Sequence, residues 1–247
     1  MTVDVIILAA GQGKRMHSAL PKVLHRLAGR PLLAHVLETA RALAPRRIVV
    51  VHGHGGGEVR AQFEGTDIDW VEQPEQLGTG HAVKMAQPLL VDHAGPVVIV
   101  AGDSPLIQAD SLRQLLDHFQ KRQPACLLGT LHKPNPAGLG RIVRDAAGEF
   151  QGIVEEKDAT DEQRRLTEVN MSTYIFAGPE LLHALDLLKN DNRQREYYLT
   201  DCPGILKSEG KLVEALPVLK PCEALSINTI DELALVEGEM RRLGYGQ

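Results

Sequence analysis

The run Val5-Ile-Ile-Leu-Ala9 is apolar throughout and passes straight into Ala10-Gly-Gln-Gly13. A short run without polar alternation reads as a strand buried on both faces, as in a parallel sheet covered by helices on either side. Gly11 and Gly13 let the backbone turn tightly and bring its N–H groups against a ligand. Lys14, Arg15 and Lys22 add positive charge just beyond. Strand, glycine turn and cations together suit phosphate oxygens; the glycine pair alone also fits an ordinary strand-to-helix turn. Two common phosphate motifs are excluded. A P-loop needs Gly, four residues, then Gly-Lys-Ser/Thr, but Gly13-Lys14 is followed by Arg15 and residue 8 is leucine. A dinucleotide fingerprint needs a third glycine where Met16 stands.

Strand and helix patterns alternate along the rest of the chain. Pro31 suits the first position of a helix. Leu32, Leu33, Val36, Leu37, Ala40 and Leu43 follow at helical spacing, before a second buried run at Ile48–Val51. This βαβ unit predicts a parallel sheet with a right-handed crossover. Strands are expected over 68–71, 97–101, 126–131 and 212–218, and helices over 58–63, 109–122, 179–188 and 230–243. From Asn135 the sequence turns to loops and short alternating strands at 142–144, 149–154 and 173–176, read as an antiparallel extension over the ligand-binding end of the sheet. The expected fold is α/β: a Rossmann-like, mostly parallel sheet with helices on both faces and a small antiparallel β extension.

Ligands of open α/β sheets gather at the carboxyl ends of strands. Asp103, just after the strand at 97–101, is placed like Gly11, although an aspartate there is also a common helix cap. Gln73 carries an amide donor and acceptor matching a pyrimidine edge, and is otherwise an ordinary polar loop residue. His52-Gly-His54 has the spacing of a metal pair but no third ligand nearby in sequence.

A net charge of −5 argues against nucleic acid, which is bound through positive surface. Aromatic residues make up only 4%, too few for base-stacking platforms. The three cysteines, Cys126, Cys202 and Cys222, form no Cys-x-x-Cys pair and suit a reducing compartment. No signal peptide is visible, and no apolar stretch approaches the ~20 residues of a membrane span. A cytoplasmic protein acting on a small anionic substrate is expected.

Leu8-Ala-Ala-Gly11, Gly13, Arg15-Met16 and Leu20-Pro-Lys-Val-Leu24 closely resemble the signature of the sugar-phosphate nucleotidyltransferases. Gln73-Pro-Glu-Gln-Leu-Gly-Thr-Gly-His-Ala82, Gly140-Arg-Ile142, Ile153–Thr160, Glu168-Val-Asn170 and Glu196-Tyr-Tyr-Leu-Thr-Asp201 narrow the likeness to bacterial N-acetylglucosamine-1-phosphate uridylyltransferases. The resemblance implies a nucleotide-binding set of Leu8, Ala10, Gly11, Gly13, Gln73, Gly78 and Thr79. It implies Arg15 and Lys22 as catalytic cations on the phosphates, and Gly140, Glu155 and Asn170 on the sugar. Asp103 and Asn228 become ligands of Mg²⁺; an asparagine after a strand would otherwise be read as a cap. The substrates implied are UTP and N-acetylglucosamine 1-phosphate, with no nucleic acid or membrane partner and no implication about oligomeric state.

On this resemblance the chain forms one nucleotidyltransferase domain over 1–247. A nucleotide-binding half covers 1–131, a sugar-binding half 132–228 and a C-terminal helix 229–247. Bifunctional relatives continue into a hexapeptide-repeat β-helix that acetylates glucosamine 1-phosphate, and nothing of that kind follows here. The chain departs from the family at Lys14 (usually threonine), Ala101 (often tyrosine), Arg195 (glycine) and Met171-Ser172 (Thr-Gly). These departures leave two rivals: a uridylyltransferase for another sugar 1-phosphate, and a nucleotide-binding regulator without turnover.

Overall fold

A computed structural model of the chain describes residues 2–244, so residues 245–247 of the expected C-terminal helix segment lie outside the described residues. In chain order the elements begin β1 (Asp4–Ala9), β2 (Arg26–Leu27), β3 (Arg30–Pro31), α1 (Leu32–Arg41), β4 (Arg47–His52), α2 (Gly56–Gln62) and β5 (Asp69–Glu72). They continue through α3 (Thr79–Met85), α4 (Gln87–Leu90), β6 (Pro96–Ala101), α5 (Ala109–Arg122), β7 (Cys126–His132), β8 (Arg141–Arg144) and β9 (Phe150–Val154). The last are β10 (Glu168–Ala177), α6 (Gly178–Leu187), α7 (Asp201–Ser208), β11 (Val213–Leu216) and α8 (Ile230–Arg242).

The main sheet runs β11-β7-β10-β6-β1-β4-β5. β1 pairs in parallel with β4 and β6, β4 with β5, and β7 with β11, while β10 lies antiparallel between β6 and β7. The buried strands divide their side chains between two cores, as a sheet covered on both faces requires. Val5, Ile7, Val50, Val98 and Val100 pack with Leu33, Val36 and Leu37 of α1 and Leu112, Leu115 and Phe119 of α5. Ile6, Val49, Val51, Val97 and Ile99 pack with Val83 of α3, Leu181 and Leu185 of α6 and Leu206 of α7. Each such side chain, removed from water, contributes roughly 1.5–3 kcal/mol. A third cluster joins Met16, Leu27, Leu32, Cys222 and Ile227 to Val236 and Met240 of α8, which fixes the C-terminal helix beside the glycine loop.

Three expectations shift. Pro31 ends the β2–β3 hairpin and precedes α1 rather than opening it, since Leu32 donates its N–H to His25 O (2.9 Å). Residues 173–176 lie inside the main sheet, and β10 reaches the small extension only through Val169, opposite Arg141 of β8. A bulge between Asn170 and Thr173 separates the two stretches. The helix α7 is not among the helices expected from the sequence; Pro203 sits in its first turn, where a missing N–H is tolerated.

Candidate functional site

β1 ends at Ala9 and the backbone turns through Gly11 to Gly13, which lies in the left-handed region (φ 59°). A Cβ on Gly13 would stand 2.8 Å from Lys22 Cβ, so glycine is required both by conformation and by the approach of Lys22. One-turn 3₁₀ helices at Lys14–Met16 and Lys22–Leu24, the second entered from Pro21, then display the cations. Buried Met16 and Leu24 anchor them to the protein. The loop forms one wall of a cavity of about 450 Å³ at the carboxyl ends of β1 and β6. Leu8, Ala10, Gly11, Gly13, Arg15, Lys22, Gln73, Gly78, Thr79, Asp103 and Asn228 all line it.

The opposite wall is the loop before α3. Gly78 has φ 110°, and a Cβ there would meet Tyr197 O at 2.5 Å. The segment 196–199 clasps this loop through its backbone. Tyr197 N–H donates to Leu77 O (2.8 Å), Gly80 N–H to Tyr197 O (2.8 Å) and Leu199 N–H to Thr79 Oγ1 (3.1 Å). Gln73, buried at 3% exposure, has both amide hydrogens engaged, one on Gly78 O (3.0 Å) and one toward His81 Nδ1 (3.0 Å). Its Oε1 is therefore the atom left for a base. The two-sided match expected from sequence is reduced to one acceptor for a base N–H.

Asp103 and Asn228 point their side-chain oxygens at one place. Lys22 Nζ donates to Asp103 Oδ2 and to Asn228 Oδ1 (2.6 Å). Neither residue is a helix cap. α5 begins only at Ala109, and the cap of α8 is Thr229, whose Oγ1 accepts Glu232 N–H (3.1 Å). Glu232 Oε2 in return accepts the N–H of Thr229 (3.0 Å) and of Asn228 (2.6 Å), which fixes the asparagine backbone. A carboxylate oxygen and an amide oxygen converging on a cation form a hard-donor set that fits Mg²⁺. Among the described residues, no group of three or more His, Cys, Asp or Glu is placed for a metal, so the His52/His54 pair gains no third ligand.

Gly140, Glu155 and Asn170 come together, but outside the lining of this cavity. A Cβ on Gly140 would be 3.6 Å from Asn170 Cβ and 3.7 Å from Glu155 Oε2, and Asn170 N–H donates to Gly140 O (2.9 Å). Asn170 Nδ2 donates to Tyr174 Oη (2.7 Å) and its Oδ1 accepts Ser172 N–H (3.2 Å). Burial pushes the Glu155 carboxyl above its usual range, opposed by the hydroxyl of Thr200 donating to it (3.0 Å). Asp201 is pushed up to about 6, first by burial and then by the negative charges of Glu155, Asp158 and Asp191. Arg141, 1% exposed, holds the loop in front of this cluster by donating to Leu139 O and Glu156 Oε2 (2.7 Å).

Sequence reasoning assigned no role to Gln76, Ser172 or Glu196, which also line the cavity. Gln76 was readable: it lies in the stretch already singled out, and its Nε2 donates to Gln73 O (3.1 Å). Ser172 and Glu196 also lie in stretches singled out from the sequence, but their place on the cavity depends on the β10 bulge and on the pairing of 196–199 with the Gly78 loop.

The model of the MobA-like NTP transferase domain matches residues 5–197. The bifunctional protein GlmU of Burkholderia lata is 47% identical over 235 residues, covering 95% of this chain and 51% of the relative. The protein of that name from Pseudomonas aeruginosa is 46% identical over 243 residues, covering 98% and 53%. The chain thus spans about half the length of these relatives. A solved UDP-glucose pyrophosphorylase complexed with UDP-glucose superposes with a TM-score of 0.82 over 98% of this chain and 100% of its own, at 17% identity, a likeness of fold. Because the family match runs from β1 to Tyr197, and so takes in most of both cavity walls, the chain belongs to the MobA-like NTP transferase domain family.

Proposed function

We propose that the chain is a sugar-1-phosphate uridylyltransferase, converting UTP and N-acetylglucosamine 1-phosphate to UDP-N-acetylglucosamine and pyrophosphate. The observation that carries this reading is one cavity joining the glycine loop, Arg15 and Lys22 to the Asp103–Asn228 oxygen pair. The attacking group is a phosphate oxygen. A phosphate monoester loses its second proton near a pKa of about 6, so no general base is needed. The protein's task is to align attacker and α-phosphorus and to offset charge repulsion. Gly11 and Gly13 admit the triphosphate to the backbone, and Arg15 and Lys22 neutralise its oxygens. Asp103 and Asn228 would hold Mg²⁺, which supplies Lewis-acid stabilisation of the departing pyrophosphate when bound.

Gln73 Oε1 accepts from the N–H of uracil; cytosine presents no N–H at that ring position. A buried polar mismatch costs roughly 1–3 kcal/mol, so UTP is favoured over CTP by about fivefold or more. Gly140, Glu155 and Asn170 receive the sugar, with Glu155 accepting from its hydroxyls. The compartment consistent with this chemistry is the cytoplasm; among the described residues no helix is long and apolar enough to cross a membrane.

Pyrophosphate release from UTP tests the reading, measured with N-acetylglucosamine, glucosamine, glucose and N-acetylgalactosamine 1-phosphates. Release that is fastest with the first supports it. A tenfold preference for glucose 1-phosphate would move the acetamido assignment and keep the uridylyltransferase. UTP binding with no release from any acceptor would leave a nucleotide-binding regulator.

A further inference from the structure

The oxygens of Asp103 and Asn228 are brought together from widely separated segments, and their separation is set by the protein itself. Ile227 N–H donates to Asp103 O (3.1 Å), tying the two backbones, and Glu232 holds Asn228 from the other side (2.6 Å). What stands at their convergence is the Lys22 ammonium, bonded to both, with its side chain only 11% exposed. Gly13 makes this placement possible, since any side chain there would strike the Lys22 stem.

An ammonium and a divalent cation cannot share the same two oxygens. Their repulsion at such a separation is strong in a partly buried site. We propose that Lys22 is a place-holder for the cation, so that ammonium and metal are alternative occupants of the Asp103–Asn228 pair and exchange when a triphosphate arrives. The inference rests on the reading of Asp103 and Asn228 as metal ligands. Lys22 leaves a carboxylate partner, and the charge it abandons must be matched at its destination; the phosphates in the same cavity supply that match. In the free protein Lys22 keeps the ligand oxygens assembled and keeps a lone cation out. Nucleotide and metal then bind with positive coupling, each favouring the form the other needs.

The experiment measures Mn²⁺ binding to the full chain without nucleotide, by calorimetry and by the spin-resonance signal of free Mn²⁺. Lys22→Met is expected to bind Mn²⁺ at least tenfold more tightly than the parent, and the double variant Lys22→Met/Asp103→Asn to lose that gain. Lys22→Gln serves as a second variant, with thermal unfolding confirming that each protein is folded. Equal or weaker Mn²⁺ binding in both folded Lys22 variants overturns the place-holder. If the parent still releases pyrophosphate with Mg²⁺ in that case, the uridylyltransferase reading stands without it. A gain that survives Asp103→Asn places the ion elsewhere and overturns the proposal as well.

Discussion

The proposed nucleotide side and the proposed sugar side of the site meet the same backbone demand with different residues. On the proposed nucleotide side two of the positive-φ positions are Gly13 and Gly78, where a Cβ would strike Lys22 or the Tyr197 carbonyl. Toward the proposed sugar side they include Ser172 (φ 53°), in the β10 bulge at the edge of the cavity and bonded to Asn170, and Arg195 (φ 55°), in the turn before Tyr197. Family resemblance places glycine at both of the latter. The difference separates two reasons for a glycine. Where the missing side chain makes room for a neighbour, glycine stays; where only the backbone angle asks for it, an ordinary residue can carry a strain of about 1–2 kcal/mol. Side-chain hydrogen bonds brace both strained turns. Asn170 Oδ1 holds Ser172 N–H (3.2 Å), and Asn192 bonds the backbone on either side of Arg195.

The strongest way to break this comparison is to attack the chemistry on each side. Asp103→Asn should lower turnover at least a hundredfold, about 2.7 kcal/mol of transition-state stabilisation, and raise the Mg²⁺ requirement. Glu155→Gln should lower kcat/KM for the sugar phosphate about tenfold while UTP binding is kept. Steady-state kinetics at varied Mg²⁺ and sugar phosphate separate the two; equal losses in UTP affinity would merge the halves into one indivisible site.

Gly78→Ala comes next. It combines an unfavourable φ with a backbone clash, and should destabilise the fold by about 2–3 kcal/mol and weaken UTP binding. Denaturant unfolding and nucleotide titration measure both.

The acidic ground of the proposed sugar side gives a smaller effect with a distinctive pH course. Asp201 has a folded pKa of about 6 against an ordinary 3.8, so its ionisation disfavours the fold. That part of the stability is complete below the ordinary value and is lost as pH rises through about 6. Allowing for solvent screening at this half-buried group, Asp201→Asn should stabilise by about 1 kcal/mol at pH 8. At pH 3.5 the gain should vanish; a gain independent of pH would assign it to packing instead.

The smallest effect is the sharpest test of the comparison itself. Ser172→Gly and Arg195→Gly each relieve backbone strain but add unfolded-state entropy, for a net gain of about 0.5 kcal/mol. Loss of stability in either variant would mean that the side chain, not the angle, matters there.

The parallel core was legible because Val5–Ala9, Ile48–Val51 and Val97–Ala101 are too apolar for any other setting. The glycine loop and its cations were legible because they are contiguous, and all of them line the cavity. The proposed sugar cluster was legible only as matched motifs; that Gly140, Glu155 and Asn170 adjoin depends on the β8–β9 pairing and on Asn170 lying at the start of the bulge. Gln73 shows a further limit. Its chemistry was readable, but the engagement of both amide hydrogens by Gly78 and His81 depends on a loop shape that no local signal encodes. The Lys22 contacts with Asp103 and Asn228 lay beyond sequence reading for the same reason.

The bond from Lys22 to Asn228 joins positions 206 residues apart. During synthesis the glycine loop emerges early, and the central strands can collapse around β1 long before α8 exists. Until Thr229 and Glu232 start that helix, Asn228 lacks the carboxylate that accepts its N–H, while the bond from Ile227 N–H to Asp103 O ties its neighbour in place. A partly made chain can thus own a nearly finished sheet and still lack an assembled Asp103–Asn228 pair. Long-range closure of this kind is slow to form, and here it ties assembly of the Lys22–Asp103–Asn228 group to the start of the helix that follows Asn228.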